Sequence, residues 1–237
     1  LLGGEWALLT RNGPFFSLLF VALGAYLRAR RWRPDARRSA LLMAAGRLDL
    51  PTIIVTGGYM NTGYQLSYST PMGAKSSTSH LGKTQYGKTF FHKDMPQIMA
   101  AAHLPYVATV AESNPHDFIK KAAKAAAYAR EFGTAYVKAL SACPLNWNDR
   151  PDTERKVIAA AVDCCYFPLY EIERGITSLS YDPKKSHKKI PVTEWFSMMG
   201  RTKHLATEEY KSVADQIQAE VDRRYERLAA CAEHPLL

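Results

Sequence analysis

Few stretches of this 237-residue chain combine side chains in patterns that could do chemistry. Gly82–Thr89 (GKTQYGKT) satisfies G-x-x-x-x-G-K-[ST], in which backbone amides cradle a phosphate. Lys88 and Thr89 would supply the charge and the metal ligand of that motif. Its surroundings oppose the reading: Ser76–Leu81 (SSTSHL) is no hydrophobic strand, and the helix that should start at Lys88 would meet Pro96 within a few turns. A lysine-bearing loop is the other reading. Asn61-Thr62-Gly63, taken alone, is an Asn/Gly turn. Cys143 closes an apolar run as a lone thiol, and a lone cysteine is usually a small buried hydrophobe. Cys164 and Cys165 are adjacent, cannot chelate one metal as C-x-x-C would, and read as packing. His80, His92, His103 and His116 lack an H-E-x-x-H spacing and are assigned to no metal.

The elements that must position these residues follow from hydrophobic pattern and punctuation. Pro51–Thr56 (PTIIVT) is β-branched, is bounded by Gly57 and Gly58, and reads as a buried strand ending in a glycine turn. Asn61–Asp94 has no period and reads as a long loop, a type that is usually functional or disordered. Met95–His103 predicts a short helix, and Tyr106–Ala111 (YVATVA) a second strand. Ser113 or Asn114 can cap the next helix, with Pro115 in its first turn and Gly133 as its stop. Tyr136–Leu140 predicts a third strand, Asp152–Cys165 a helix, FPLYEIERGITSLSY a hairpin turning at Arg174-Gly175, and Thr207–Ala230 a final amphipathic helix. Strand, helix and strand in this order imply an α/β fold with a parallel sheet, whose ligands sit at the carboxyl ends of the strands. The loops after Thr56 and after Leu140 are the places to look.

At 47% hydrophobic and 22% charged residues the chain can build a real core, which excludes intrinsic disorder and collagen-like repeats. Four cysteines are too few for a disulfide scaffold, so a reducing, cytoplasmic compartment is expected. The net charge of +9 is unevenly spread. Up to Gly57 every basic residue is an arginine and the segment carries +5; from Gly58 onward lysine predominates, with an excess of +4 over 180 residues that reads as ordinary solvated surface. Phe15–Leu27 is an apolar run of 13 followed by RARRWRPDARR. A span needs about 20 apolar residues, so this run is too short to cross a bilayer. A monotopic anchor with a basic flank, a buried helix, and residues foreign to the domain are its three readings.

The loop after the first strand carries a resemblance. Tyr59-Met60-Asn61-Thr62-Gly63-Tyr64-Gln65 and Ser69-Thr70-Pro71-Met72-Gly73-Ala74 resemble the YMNTGxQ…STPxGA stretch of the thiamine-pyrophosphate-binding β subunit of 2-oxoacid:ferredoxin oxidoreductases, the pyruvate enzymes above all. Gly87-Lys88, Lys93-Asp94, Ala101-Ala102-His103, Pro105–Thr109, Cys143-Pro144, Trp147, Phe167–Glu171 and Gly200-Arg201 follow in the family's order at about its spacing. The resemblance runs from Gly58 to about Leu205, which divides the chain into a non-matching arginine-rich segment (1–57), the carboxy-terminal part of a thiamine-diphosphate-binding domain (58–205) and a carboxy-terminal helix (206–237).

The resemblance implies a site. A Mg²⁺ ion bridges the cofactor's pyrophosphate to a carboxylate of a Gly-Asp-Gly turn and to two oxygens at the end of the next strand, which here fall on the Thr56 side chain and the Gly58 carbonyl. Hard cations want such oxygens. Asn61 matches the asparagine facing thiazolium and substrate, where an amide can donate to a developing oxyanion, and Thr62, Gly63 and Gln65 support its turn. Cys143 matches a cysteine that gives the fourth thiolate to a 4Fe-4S cluster. The departures are equally definite. No Gly-Asp-Gly occurs in the chain, Val55 and Gly57 replace the family's Asp and Glu beside Thr56, and the other three cluster cysteines are absent upstream. Residues 1–57 are therefore read as a fragment or misread region standing in place of the family's amino-terminal half, which the other two reading frames of the parent DNA upstream of Tyr59 would test.

As activity, the resemblance implies oxidative decarboxylation of pyruvate or a related 2-oxoacid. Coenzyme A takes the acyl group, and electrons pass singly through iron–sulfur clusters to ferredoxin. The expected partners are the α, γ and δ subunits of one complex, with no nucleic acid and no membrane, and this chain alone is expected to be inactive. The basic loop Lys75–Lys93 could face the anionic cofactor, coenzyme A or a neighbouring subunit, the last being favoured. A P-loop nucleotide-binding protein and a non-catalytic basic binding protein built on the arginine segment are the rival classes; neither accounts for the ordered matches from Tyr59 to Arg201.

Overall fold

The computed structural model describes residues 53–57, 71–75, 81–82, 85–141 and 147–234. Among them a five-stranded sheet forms from β1 (Ile53–Gly57), β4 (Tyr106–Ala111), β5 (Ala135–Leu140), β6 (Tyr170–Glu173) and β7 (Ile176–Leu179) in the order β1-β5-β4-β6-β7. A two-stranded ribbon, β2 (Leu81–Gly82) and β3 (Gln85–Tyr86), stands apart from it. The first three strands of the sheet are parallel, as the strand–helix–strand order predicts. The hairpin β6–β7, predicted over FPLYEIERGITSLSY, joins the same sheet antiparallel to β4, with Val107 opposite Ile172. The class is α/β with a mixed sheet. Arg174 and Gly175 both have positive φ, 50° and 86°, the signature of the tight hairpin turn that matches strand twist.

Helices cover both faces of the sheet. β4 and β5 are buried along their whole length, and alternate residues therefore point into two different cores. Tyr106, Ala108, Val110, Val137 and Ala139 meet Phe118, Ala125 and Ala129 of α2 (Pro115–Glu131). On the opposite face Val107, Tyr136, Tyr170 and Ile172 meet Leu228 of α5 (Lys211–Glu233) and Met95 and Met99 of α1 (Met95–Ala101). The largest core gathers Val157, Ile158 and Ala161 of α3 (Glu154–Asp163), Val192, Trp195 and Phe196 of α4 (Val192–Ser197), and Val213, Ile217, Val221 and Tyr225 of α5. The long amphipathic final helix is thus a structural wall of the domain.

The local signals for α2 hold with one change. Pro115 lies in its first turn, Asp117 complements the helix dipole, and Gly133 follows at φ 117°. Asn114 occupies the cap position, yet its side-chain oxygen accepts from the Ser113 hydroxyl at 2.7 Å and makes no bond to the helix backbone.

The lysines after Gly58 do not all lie in solvent, contrary to the reading from composition. Lys88, Lys121 and Lys138 are 0%, 2% and 4% exposed. Lys121 is held by the Asp117 carboxylate at 2.8 Å, the Thr109 carbonyl at 2.9 Å and the Ser180 hydroxyl at 2.6 Å. A buried ammonium with three acceptors is tolerated where an isolated one is not.

Candidate functional site

β1 and β5 are neighbours in parallel register, with Thr56 beside Lys138 and Gly57 beside Ala139. They finish together at one end of the sheet. Gly58, Asn61, Thr62, Gly63 and Gln65 follow β1 in sequence and Cys143 follows β5; all six lie outside the described residues. Of Thr56, the backbone alone is described, as the penultimate residue of β1. Among the described residues no group of three His, Cys, Asp or Glu side chains could hold a metal ion.

Several segments that carry the family resemblance, far apart in sequence, meet in space. The Gly73 amide donates to the Lys88 carbonyl at 2.7 Å, and the Lys88 amide donates to the Ala74 carbonyl at 3.1 Å. The Lys75 amide donates to the Arg201 carbonyl at 3.1 Å, and the Arg201 guanidinium returns a bond to the Lys75 carbonyl at 3.3 Å. His204 Nε2 lies 2.9 Å from the Gly73 carbonyl, which only accepts, so Nε2 carries the proton. Burial holds this imidazole below its ordinary pKa. Gly87, at φ 96°, has no room for a side chain, because a Cβ would stand 2.3 Å from the Gly73 carbonyl oxygen. Gly200 is similarly confined by Asn148, whose side-chain nitrogen lies 2.3 Å from the position of a Cβ.

This arrangement disposes of the phosphate-loop reading. Gly82 and Gln85 pair within the β2–β3 ribbon, no helix begins at Lys88, and the Lys88 backbone is tied to Gly73 and Ala74. The Lys88 ammonium is buried 4.8 Å above the Phe90 ring, and burial pushes its pKa down to about 8. Amides spent on a backbone clasp cannot converge on a phosphate.

Thr109, another matched residue, stitches β4 to the segment before β6. Its hydroxyl donates to the Pro168 carbonyl at 2.7 Å and accepts from the Tyr170 amide at 2.9 Å. Cys164 and Cys165 pack as the sequence suggests: both are buried, and burial raises both thiols, that of Cys165 to about 12.

Sequence reasoning passed over a group of ionisable side chains on the α1/α5 face of the sheet. Lys138, in register between Thr56 and Thr109, reaches within 5.6 Å of the Phe167 ring, and burial pushes its ammonium down to about 8. His92 Nδ1 lies 3.1 Å from the Tyr166 hydroxyl; desolvation first, then the charges of Lys138, Arg224 and Lys88, hold the imidazole well below its ordinary pKa. Arg224 donates to Glu220 at 2.6 Å and to the His92 carbonyl at 3.4 Å, and stacks over Phe91 at 4.9 Å. The available signal was Lys138 itself, a lysine inside the apolar run AYVKAL.

No family model matches the chain. Curated relatives do, the following three among them. Pyruvate synthase subunit PorB of Thermotoga maritima is 37% identical over 193 residues, 81% of this chain and 58% of the relative. Pyruvate synthase subunit PorB of Methanothermobacter marburgensis is 41% identical over 165 residues, 69% of this chain and 54% of the relative. Ketoisovalerate oxidoreductase subunit VorB of Pyrococcus furiosus is 33% identical over 176 residues, 74% of this chain and 54% of the relative. The chain therefore spans about half the length of the curated relatives it matches. Identity at this level over more than 150 residues, together with the converging matched segments, means that over this stretch the chain belongs to the family of β subunits of 2-oxoacid:ferredoxin oxidoreductases.

Proposed function

We propose that this chain serves as the β subunit of a 2-oxoacid:ferredoxin oxidoreductase that acts, within a complex of α, γ and δ subunits in the cytoplasm, on pyruvate or a related 2-oxoacid. The observation that carries the reading is the parallel pairing of β1 with β5, from whose adjacent ends the chain leads into Gly58–Gln65 and into Cys143. In an open α/β sheet that end is where ligands bind.

Each residue's proposed role follows from its chemistry. The Thr56 hydroxyl and the Gly58 carbonyl are hard oxygen donors suited to Mg²⁺, which takes about six such ligands. The Asn61 amide would donate a hydrogen bond to the oxygen of the 2-oxo group as negative charge develops there. Thr62, Gly63 and Gln65 would hold the turn that aims it. The Cys143 thiolate would supply one of about four sulfur ligands of a 4Fe-4S cluster. Bound thiamine pyrophosphate supplies the electron sink for decarboxylation, and coenzyme A and ferredoxin receive the products. The donor set in this chain is partial, since neither a Gly-Asp-Gly carboxylate nor three further cluster cysteines occur before Gly58.

The test is co-expression with candidate α, γ and δ subunits, anaerobic purification, and assay of iron, thiamine and 2-oxoacid-dependent dye reduction. An assembled complex that contains iron and thiamine, and loses about 100-fold or more of kcat on Asn61→Ala with binding of thiamine retained, is the expected result. A stable complex devoid of both iron and thiamine would overturn the proposal.

A further inference from the structure

Two hydrogen-bond donors in the core go unused. The indole N–H groups of Trp147 and Trp195 are buried and make no hydrogen bond. Such groups are uncommon in folded proteins, and a redox role is one of the few reasons to keep them. The rings that carry them belong to a chain of contacts. Trp147 meets Trp195 of α4 edge to face with centroids 6.5 Å apart, Trp195 meets Tyr166 at 4.6 Å, and Tyr166 meets His92 at 5.1 Å. Among the described residues, Tyr166 is the one tyrosine in ring contact with either indole.

The two ends of this chain differ in where a proton can go. The Tyr166 hydroxyl lies 3.1 Å from His92 Nδ1 and has no other acceptor, so the hydroxyl donates, Nδ1 accepts, and the imidazole proton sits on Nε2. Burial holds the phenol far above its ordinary pKa and the imidazole well below its own, so the pair rests as phenol and neutral imidazole. An electron taken from either indole leaves a radical cation with no acceptor for its proton, which therefore keeps its oxidising power. Tyr166 gives up an electron more easily, because its proton can pass along the existing bond to Nδ1 in the same event. Lys138, Arg224 and Lys88 weaken His92 as a base, but an oxidised phenol is a far stronger acid than an imidazolium. Oxidising equivalents thus run toward Tyr166.

We propose that Trp147, Trp195 and Tyr166, with His92 as proton acceptor, form a relay that carries an oxidising equivalent out of the aromatic core to the wall of a cavity of about 560 Å³, which Tyr166 and His92 both line. The oxidant is a one-electron radical of high potential, of the class derived from peroxide, and it takes one electron from an indole. Tyr166 refills the indole and passes its proton to His92. A dissolved thiolate then gives one electron to the phenoxyl radical, His92 returns the proton, and a thiyl radical leaves. The relay needs neither thiamine pyrophosphate nor an iron–sulfur cluster, so its test is separate from that of the function proposed above.

The test is laser photoionisation of the indoles in the purified full chain, with an electron scavenger present and with Trp6→Phe and Trp32→Phe so that only the two relay indoles remain. Tryptophanyl absorption should decay as tyrosyl absorption rises, at a rate independent of protein concentration. Tyr166→Phe should lengthen the life of the tryptophanyl radical about tenfold or more, and His92→Leu, which keeps the phenol but removes its proton acceptor, should slow the transfer about tenfold, the barrier equivalent of one hydrogen bond. Transfer in the parent should also slow in heavy water, and a purely packing role for His92 would not produce that dependence. Absence of a concentration-independent tyrosyl signal in the parent, an unchanged rate in Tyr166→Phe, or an unchanged rate in a folded His92→Leu would each overturn the proposal. Tyr166→Phe, which deletes one hydroxyl, keeps that force even if His92→Leu fails to fold.

Discussion

Replacing Gly87 by alanine tests whether the clasp between the segments at Gly73 and Lys88 is as tight as the geometry says. Two costs combine. The first is conformational: at φ 96° an L residue sits in a sparsely populated region, at about 1–3 kcal/mol. The second is contact: the new Cβ would lie 2.3 Å from the Gly73 carbonyl oxygen and 2.8 Å from that of Ala74, both backbone atoms that cannot rotate away. Opening the clasp to make room breaks the Gly73–Lys88 and Lys88–Ala74 bonds, at about 0.5–1.5 kcal/mol each. The expected loss is about 2–6 kcal/mol, or about 4–24 °C in melting temperature for a chain of this size. Gly133→Ala is the control, since Gly133 also has positive φ, 117°, but a Cβ there meets nothing within 4 Å. It should show the conformational cost alone. Urea unfolding of the two variants separates the terms, and a Gly87→Ala protein within about 1 kcal/mol of Gly133→Ala would refute the contact argument.

Glu220 is pulled down to about 2 by its bonds to Arg223 and Arg224. Its folded pKa is below the unfolded one, so its contribution is complete above the ordinary carboxylate range and disappears as pH falls from about 4.5 to 2; Glu220→Gln should flatten that limb of the acid-unfolding curve and cost under about 1 kcal/mol at neutral pH, since the pair is partly exposed. Lys121→Met leaves Asp117, the Thr109 carbonyl and Ser180 without their shared donor, and should cost about 3 kcal/mol in urea unfolding. With both thiols raised by burial, Cys164 and Cys165 should resist a thiol reagent at about pH 8 in the native chain and react once it is denatured, as peptide mass mapping would show.

The parts of the fold legible in sequence are those fixed by local chemistry. Tyr106–Ala111 is a β-branched apolar run and forms the strand as read; Pro115 and Gly133 bracket α2 because ring geometry and positive φ act within a turn. The Arg174-Gly175 turn was legible for the same reason, since its two residues and flanking alternation specify a tight hairpin. That this hairpin lies against β4 was not, because Tyr106 and Glu173 pair across 67 positions of chain that no local window spans. The buried lysines were illegible for a related reason. Lys121 is tolerable inside only because Thr109 and Ser180, distant in sequence, supply acceptors, and composition counts such a residue as surface.

The matched segments themselves divide into two physical kinds, and the division determines which residues bear on activity. Gly73, Gly87, Lys88 and Arg201 tie their segments together through backbone bonds and close approaches, while Thr109 holds Pro168 and Tyr170 and Gly200 is seated on Asn148. Substituting them should act through stability, as Gly87→Ala does, whatever reaction the chain serves. In the function we propose, Asn61 and Cys143 belong to the other kind, an amide and a thiolate that would act on substrate and cluster rather than hold the fold. A lesion at Asn61 should therefore lower turnover and leave the melting temperature alone, whereas a lesion at Gly87 should do the reverse in proportion to the folded fraction. Measuring both quantities for both variants in one assembled complex separates the scaffold from the chemistry: turnover per folded molecule should fall for Asn61→Ala and stay constant for Gly87→Ala.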